Sequence, residues 1–371
     1  MVGFFCGEDP FDHGQKKMSF HCRITLFITL FLMFFGYGCA GSSKNVKEEV
    51  SMEAKPESQT SMVENLKAEK AEFQRRVEAN PEDWDSWNAL GTVLYRLGEM
   101  ADAEKALLKA HELSPKEPAV LSSLGLLRHR QGNHQEARAL LESAISLKPG
   151  HGPAHNNLGL VLVALNDKDA ARSAFEAALS VNPNDLVALE NLGLFLHYHD
   201  ADAAGAKRYL EHRIREMQRR HLEISAEDYR DVALAALFSD DADSAITYLE
   251  EATKIAPERN ELFFHLGMAY VQVREFETAR KLLLQVHQRE IENPLYAGML
   301  GRLLVRMRRC DEALPVLEKS VSQDPEDAEV FMAIGVCRER RGEKKESEAA
   351  YSKSCALGLR DACGPGQKPP Q

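Results

Sequence analysis

Much that would give this chain a catalytic chemistry is missing from it. No paired-cysteine zinc signature occurs, and the cysteines fall at 6, 22, 39, 310, 337, 355 and 363, with none between Cys39 and Cys310. The histidine pairs His151/His155 and His197/His199 have no third ligand of suitable type nearby, so solvated or helix-end histidines are the expectation and no metal or other cofactor is expected. No glycine loop suited to cradling a phosphate stands free, and no serine sits in a nucleophile elbow. A basic surplus is lacking too: the formal charge is −11, which argues against nucleic acid as a main partner. Long apolar runs are also absent. Ile24 to Phe35, about a dozen residues, has the length of a signal-peptide core rather than a membrane span. These absences exclude most enzyme classes, and no enzyme is expected.

What is present is a period. Gly91, Gly125, Gly159 and Gly193 stand 34 residues apart, and Gly267, Gly301 and Gly335 repeat the interval. Leu90, Leu124, Leu158, Leu192, Leu266, Leu300 and Ile334 precede them. Ala103, Ala137, Ala171, Gly205, Ala279, Ala313 and Ser347 follow twelve residues later. Val232, Ala233 and Ala245 fill the gap between the two series. Within each unit the apolar spacing predicts two helices, with Gly98 at the turn of the first unit and Pro115 closing it. Small residues at the glycine and alanine positions let the two helix axes approach closely. A unit of this size cannot bury its apolar face alone, so the units must stack.

The pattern resembles the tetratricopeptide repeat. Trp87, Leu90, Gly91, Leu94, Ala103, Leu107, Ala110 and Pro115 match its signature positions in the first unit, and Leu158, Gly159, Leu162, Ala171, Phe175, Ala178 and Pro183 in the third. Eight units cover 84–117, 118–151, 152–185, 186–219, 226–259, 260–293, 294–327 and 328–361, roughly three quarters of the chain. The resemblance implies an all-α solenoid of antiparallel helix pairs wound into a right-handed superhelix. The fourth unit departs from it with Gly205, His212 and Met217 where alanine, alanine and proline are usual, and the last with Ser347, Ser354 and Leu359. The domains expected are a signal segment 1–39, a polar tether 40–62, a capping helix within 63–83, units one to four over 84–219 and a phase break at 220–225. Units five to eight over 226–361 and a tail 362–371 complete the chain.

Gly36-Tyr37-Gly38-Cys39-Ala40-Gly41 after the apolar run resembles a bacterial lipobox, departing from it at Gly36 and Tyr37. This implies a lipid on Cys39 of the mature protein, and Ala40 after it implies the outer membrane. Ordinary cleavage and an uncleaved anchor stay open as alternatives. Met18 gives a cleaner start than Met1, with acidic Glu8, Asp9 and Asp12 left upstream.

At the other end, Ala350 to Gly358 followed by Ala362-Cys363 is similar to the close of a Sel1-like repeat, which implies a bond between Cys355 and Cys363. Two small buried thiols are the alternative. Cys310 and Cys337 have no recognisable spacing and are expected as free core residues.

In the repeat family the first helices line the concave side. Carried over, this implies that Leu126, Leu160, Val163, Leu194, Leu234, Leu237, Met268 and Val271 project into a groove for a protein or peptide segment. Some of them leaning sideways into the next unit is the competing reading. Asn157 and Asn191 hold equivalent positions, where the family uses asparagine to grip a peptide backbone. The lysine and asparagine of the chaperone-tail carboxylate clamp are missing. Two basic clusters, Lys207/Arg208/Arg213/Arg215/Arg219/Arg220 and Arg302/Arg306/Arg308/Arg309, read as solvated helix faces or as sites for an acidic partner. The resemblance implies a binding scaffold, lipid-anchored and facing the periplasm, of the kind found in type IV pilus and gliding-motility assemblies. A soluble periplasmic or cytoplasmic adaptor is the alternative.

Overall fold

A computed structural model describes residues 56–364, all helix and connection, with no strand among them. Cys39, the signal segment, most of the tether and the last seven residues lie outside the described residues. Helix α1 (Pro56–Ala79) precedes eight helix pairs. These are α2 (Trp84–Arg96) with α3 (Met100–Leu113), α4 (Pro118–Arg130) with α5 (His134–Leu147), and α6 (Gly152–Ala164) with α7 (Lys168–Val181). Next come α8 (Leu186–Tyr198) with α9 (Ala203–Arg219), and α10 (Ala226–Phe238) with α11 (Ala242–Ile255). The series ends with α12 (Asn260–Gln272) and α13 (Phe276–Arg289), α14 (Pro294–Arg306) and α15 (Cys310–Gln323), and α16 (Ala328–Arg340) and α17 (Lys344–Ala356). The residues form two compact bodies that divide between Ala256 and Pro257. Each is a stack of antiparallel pairs.

Local chemistry sets the helix ends. The Asp185 carboxylate accepts from the Val187 and Ala188 N–H groups at the start of α8, at 3.0 and 2.9 Å. Ser225 and Asp228 form a reciprocal capping box at the start of α10. One residue in each turn between paired helices has positive φ. It is Gly98, Gly132 and Gly342 in three units, and Asn166, Ala201, Asp240, Arg274 and Arg308 in the rest.

The repeated glycine is a contact. A Cβ on Gly159 would stand 2.5 Å from the Phe175 ring, and one on Gly301 2.4 Å from Leu317. Each such glycine faces the large side chain at the centre of its partner helix, and Phe175 and Leu317 are 1% and 0% exposed. Ala233 takes the glycine's place on α10. Helix α1 closes the near end of its stack, with Phe73 and Val77 against Leu90, Leu94, Ala103 and Ala106.

The fourth unit corrects the sequence register. Its turn runs from His199 to Asp202, one residue longer than the turn Leu97–Glu99 of the first pair. Ala206, fully buried, therefore stands where the small residue is required, and not Gly205. A Cβ on Gly193 would meet Leu210 at 2.6 Å and the Ala206 carbonyl at 3.5 Å, matching Gly91 with Leu107 and Ala103. Counting on along α9, Arg213 falls where the other units bury Ala110, Ala144, Ala178, Ala252, Val286, Ser320 and Ser354. Helix α9 runs to 17 residues, against 14 in α3, α5 and α7. The stack stays continuous beyond it, because Ile214 of α9 and Val232 and Ala235 of α10 share one core.

The second body carries two disulfides. Cys355 and Cys363 are bonded, with Cα atoms 4.9 Å apart, tying the tail to α17. Cys310 and Cys337, expected as free core thiols, are bonded as well, with Cα atoms 5.2 Å apart. Both are buried, so the core placement holds, but the first residue of α15 faces the last turn of α16. A separation of 27 residues in sequence conceals that contact.

Candidate protein-binding face

The first helices of the first body present the expected positions, and burial sorts them. Leu126 on α4, Leu160 and Val163 on α6 and Leu194 on α8 are half-buried. Leu160 and Val163 rest part of their surface on the core that α7, α8 and α9 form. Leu234 and Leu237, expected to project into a groove, are only 9% and 6% exposed. The reason is local: every residue from Val232 to Leu237 is buried, so α10 has no open apolar stripe. Met268 and Val271 are half-buried on α12 of the second body, where they lean on its core. The face that remains in the first body runs over α4, α6 and α8.

The asparagines act between units. Asn157 Nδ2 donates to Ser122 Oγ at 3.2 Å, and Asn191 Nδ2 donates to Asn156 Oδ1 at 2.9 Å. Each bond ties one first helix to the preceding one. One amide N–H of each is thus committed to the stack, and the carbonyl oxygen and second N–H remain for backbone pairing.

Beside this face lies a charged network that the sequence reading missed. The Arg213 guanidinium donates to Asp228 of α10 and lies 3.2 Å from Glu190 of α8. The Arg230 guanidinium donates to the neighbouring Asp231 at 2.8 Å. Burial pushes the Glu190 and Asp231 carboxyls above the usual carboxylate range, against the pull of the adjacent guanidinium groups. Tyr198, 44% exposed, stands in the field of Asp231 and Arg230, with the His197 ring edge-on at 4.5 Å. Burial holds His197 neutral, its pKa lowered to about 4. An arginine in a slot reserved for small side chains was the available signal, and the one-residue slip in register hid it.

Other polar candidates resolve as structure. The His151 ring accepts the Ala154 N–H at the start of α6. Both basic clusters contain ion pairs: Lys207 with Asp241 and Arg215 with Glu211 in the first, Arg302 with Glu329 and Arg309 with Glu312 in the second. Among the described residues no group of three His, Cys, Asp or Glu side chains could hold a metal ion, and no helix is long and apolar enough to cross a membrane.

Family models described as tetratricopeptide repeat match residues 85–149, 128–192, 231–293 and 299–362. No curated protein matches the chain. Among solved structures it is similar to the Cut9–Hcn1 hetero-tetramer of APC/C, with a TM-score of 0.49 and 17% identity over 73% of this chain. It spans about half of that relative, 51%. PilW, a type IV pilus biogenesis factor, aligns with a TM-score of 0.46 and 16% identity over 55% of this chain and 92% of its own. Pseudomonas aeruginosa pilF gives 0.45 and 19%, over 61% of this chain and 97% of its own. The likeness to these structures is one of fold, whereas the family models together match more than half of the chain. With its 34-residue units, close-approach glycines and paired helices, the chain belongs to the tetratricopeptide repeat family.

Proposed function

We propose that the chain is a non-catalytic scaffold that holds an extended protein segment against the first helices of its first body. The half-buried row Leu126, Leu160, Val163 and Leu194 carries this reading, flanked by asparagine amides with capacity to spare. Apolar side chains that the stack leaves partly uncovered gain from a partner that covers them. Leu160→Lys together with Leu194→Lys should abolish partner capture after crosslinking in cells, while melting stays near that of the parent, since free lysines would remain in water. Lower stability with binding retained in the folded fraction would show that these leucines serve the core alone.

The scaffold works, in this proposal, outside the cytoplasm. Two bonded cysteine pairs favour an oxidising compartment. The lipobox-like Gly38-Cys39-Ala40 favours a lipid anchor on Cys39 and the outer membrane, with the repeats facing the periplasm. An accessory role in assembling an envelope machine, such as a type IV pilus or a gliding-motility complex, fits that placement. Metabolic labelling with a fatty-acid analogue tests the anchor: label should be incorporated by the parent and lost in Cys39→Ser, and label kept by the variant would overturn it.

A further inference from the structure

The charge around Arg213 is unbalanced. Three carboxylates, Glu190, Asp228 and Asp231, share two guanidinium groups, Arg213 and Arg230, and Glu227 adds to the field at Arg230. The imbalance stands where solvent reaches it, since the Glu190 side chain keeps 38% of its exposure. It is also next to the apolar row: Glu190 lies one turn of α8 from Leu194, and Asn191 ties α8 to α6 and hence to the Leu160 row. The body beneath is acidic on balance, with 33 Asp and Glu against 22 Lys and Arg over residues 56–256.

We propose that this face takes a partner segment in which a lysine or arginine lies between apolar side chains. Glu190 and Asp231 receive the cation, and Leu160 and Leu194 receive the apolar neighbours. This rests on the scaffold reading above and names the chemistry of its partner. Burial has already raised the affinity of both carboxyls for a proton, and an incoming cation relieves the same unfavourable field. A half-enclosed carboxylate attracts a cation more strongly than a solvated one, and salt screens the attraction only in part.

The test uses the full chain and three labelled seven-residue peptides in which leucine alternates with lysine, serine or glutamate. Fluorescence anisotropy should show the leucine–lysine peptide bound about tenfold more tightly than the leucine–serine one, the preference shrinking as salt is raised to about 0.5 M. Glu190→Gln with Asp231→Asn should remove that preference and leave the leucine–serine affinity unchanged. If this variant does not fold, the peptide and salt series on the parent decides alone. Equal affinity for the lysine and serine peptides, both lost in Leu160→Lys/Leu194→Lys, would overturn the cation assignment while the apolar face stands. Preference for the glutamate peptide, or no binding of any of the three, would overturn it outright. Self-association in sedimentation, lost in Glu190→Gln/Asp231→Asn, would assign the face to a second copy and overturn it likewise. Capture of the cellular partner, sensitive to the leucine pair, judges the scaffold reading separately.

Discussion

The two bodies solve one packing problem with different means. Both stack helix pairs through a glycine that accepts a large side chain, as Gly159 accepts Phe175 and Gly301 accepts Leu317. The first body has no cysteine in residues 56–256, carries the acidic excess, and joins its fourth and fifth pairs through a half-buried guanidinium. The second is close to neutral, with 18 Asp and Glu against 17 Lys and Arg over 257–364, and is stapled twice. Its last helix needs help, for Ser347 and Ser354 stand where most units bury alanine. Their hydroxyls donate to the Gly335 and Ala328 carbonyls at 3.1 and 2.6 Å, which satisfies them without supplying apolar area. Covalent closure substitutes for burial there.

If that contrast is right, reductant should separate the bodies. Cys310→Ser with Cys337→Ser should lower the stability of the second body by about 3 kcal/mol, through the closed loop lost from its unfolded state. The first body should melt unchanged. Hydrogen exchange resolves the two, and equal loss of protection in both would break the comparison.

Gly159→Leu probes the means they share. The added side chain meets the Phe175 ring, so a cost of about 2–3 kcal/mol is expected in a thermal melt. An unchanged melt would mean the two helices have room to separate. Arg213→Ala probes the means the first body alone uses. It takes the guanidinium from Asp228, whose side chain is 12% exposed and keeps only its bonds from Ser225, at about 2 kcal/mol. Lysine at this position should restore only part of the loss, because it lacks the guanidinium fork that reaches both Asp228 and Glu190. Asp185→Ala, removing the cap of α8, should cost about 1 kcal/mol.

Acid gives the smallest and sharpest test, since two opposite signs meet in the first body. Hydrogen bonds from Arg219 and Arg220 pull the Glu216 carboxyl down to about 2. Its contribution is complete above the unfolded value of 4.5 and is lost as pH falls from there toward 2. Burial raises Glu190 and Asp231, so their protonation stabilises the body as pH falls through their folded values toward the unfolded ones. Stability of residues 56–256 should therefore rise slightly on mild acidification and drop below about pH 4. Glu216→Gln should flatten the drop and leave the rise.

How far the sequence reaches is clear from particular residues. The interval of Gly91, Gly125 and Gly159 fixes the helix pair, because a glycine at that spacing has one structural use, and it delivers the family as well. The same counting failed inside the fourth unit, where one extra residue in a turn moved Ala206 into the place of Gly205 and set Arg213 in a small-residue slot. A period averages over units, so it cannot locate a single insertion within one of them. Burial of Leu234 and Leu237 was hidden for a related reason: position in a repeat states which face a residue occupies, not what packs against that face. The Cys310–Cys337 bond joins residues 27 apart through a contact between neighbouring units, and no local spacing encodes it. By itself the sequence determined the unit, the helix pair, the absence of metal-site and nucleophile motifs, and the lipobox-like Cys39 segment. Only the tertiary structure decided which leucines stay uncovered, which cysteines meet, and where Glu190, Arg213 and Asp231 gather. Local periodicity fixes each helix face, whereas exposure, pairing and charge depend on residues that stacking brings together.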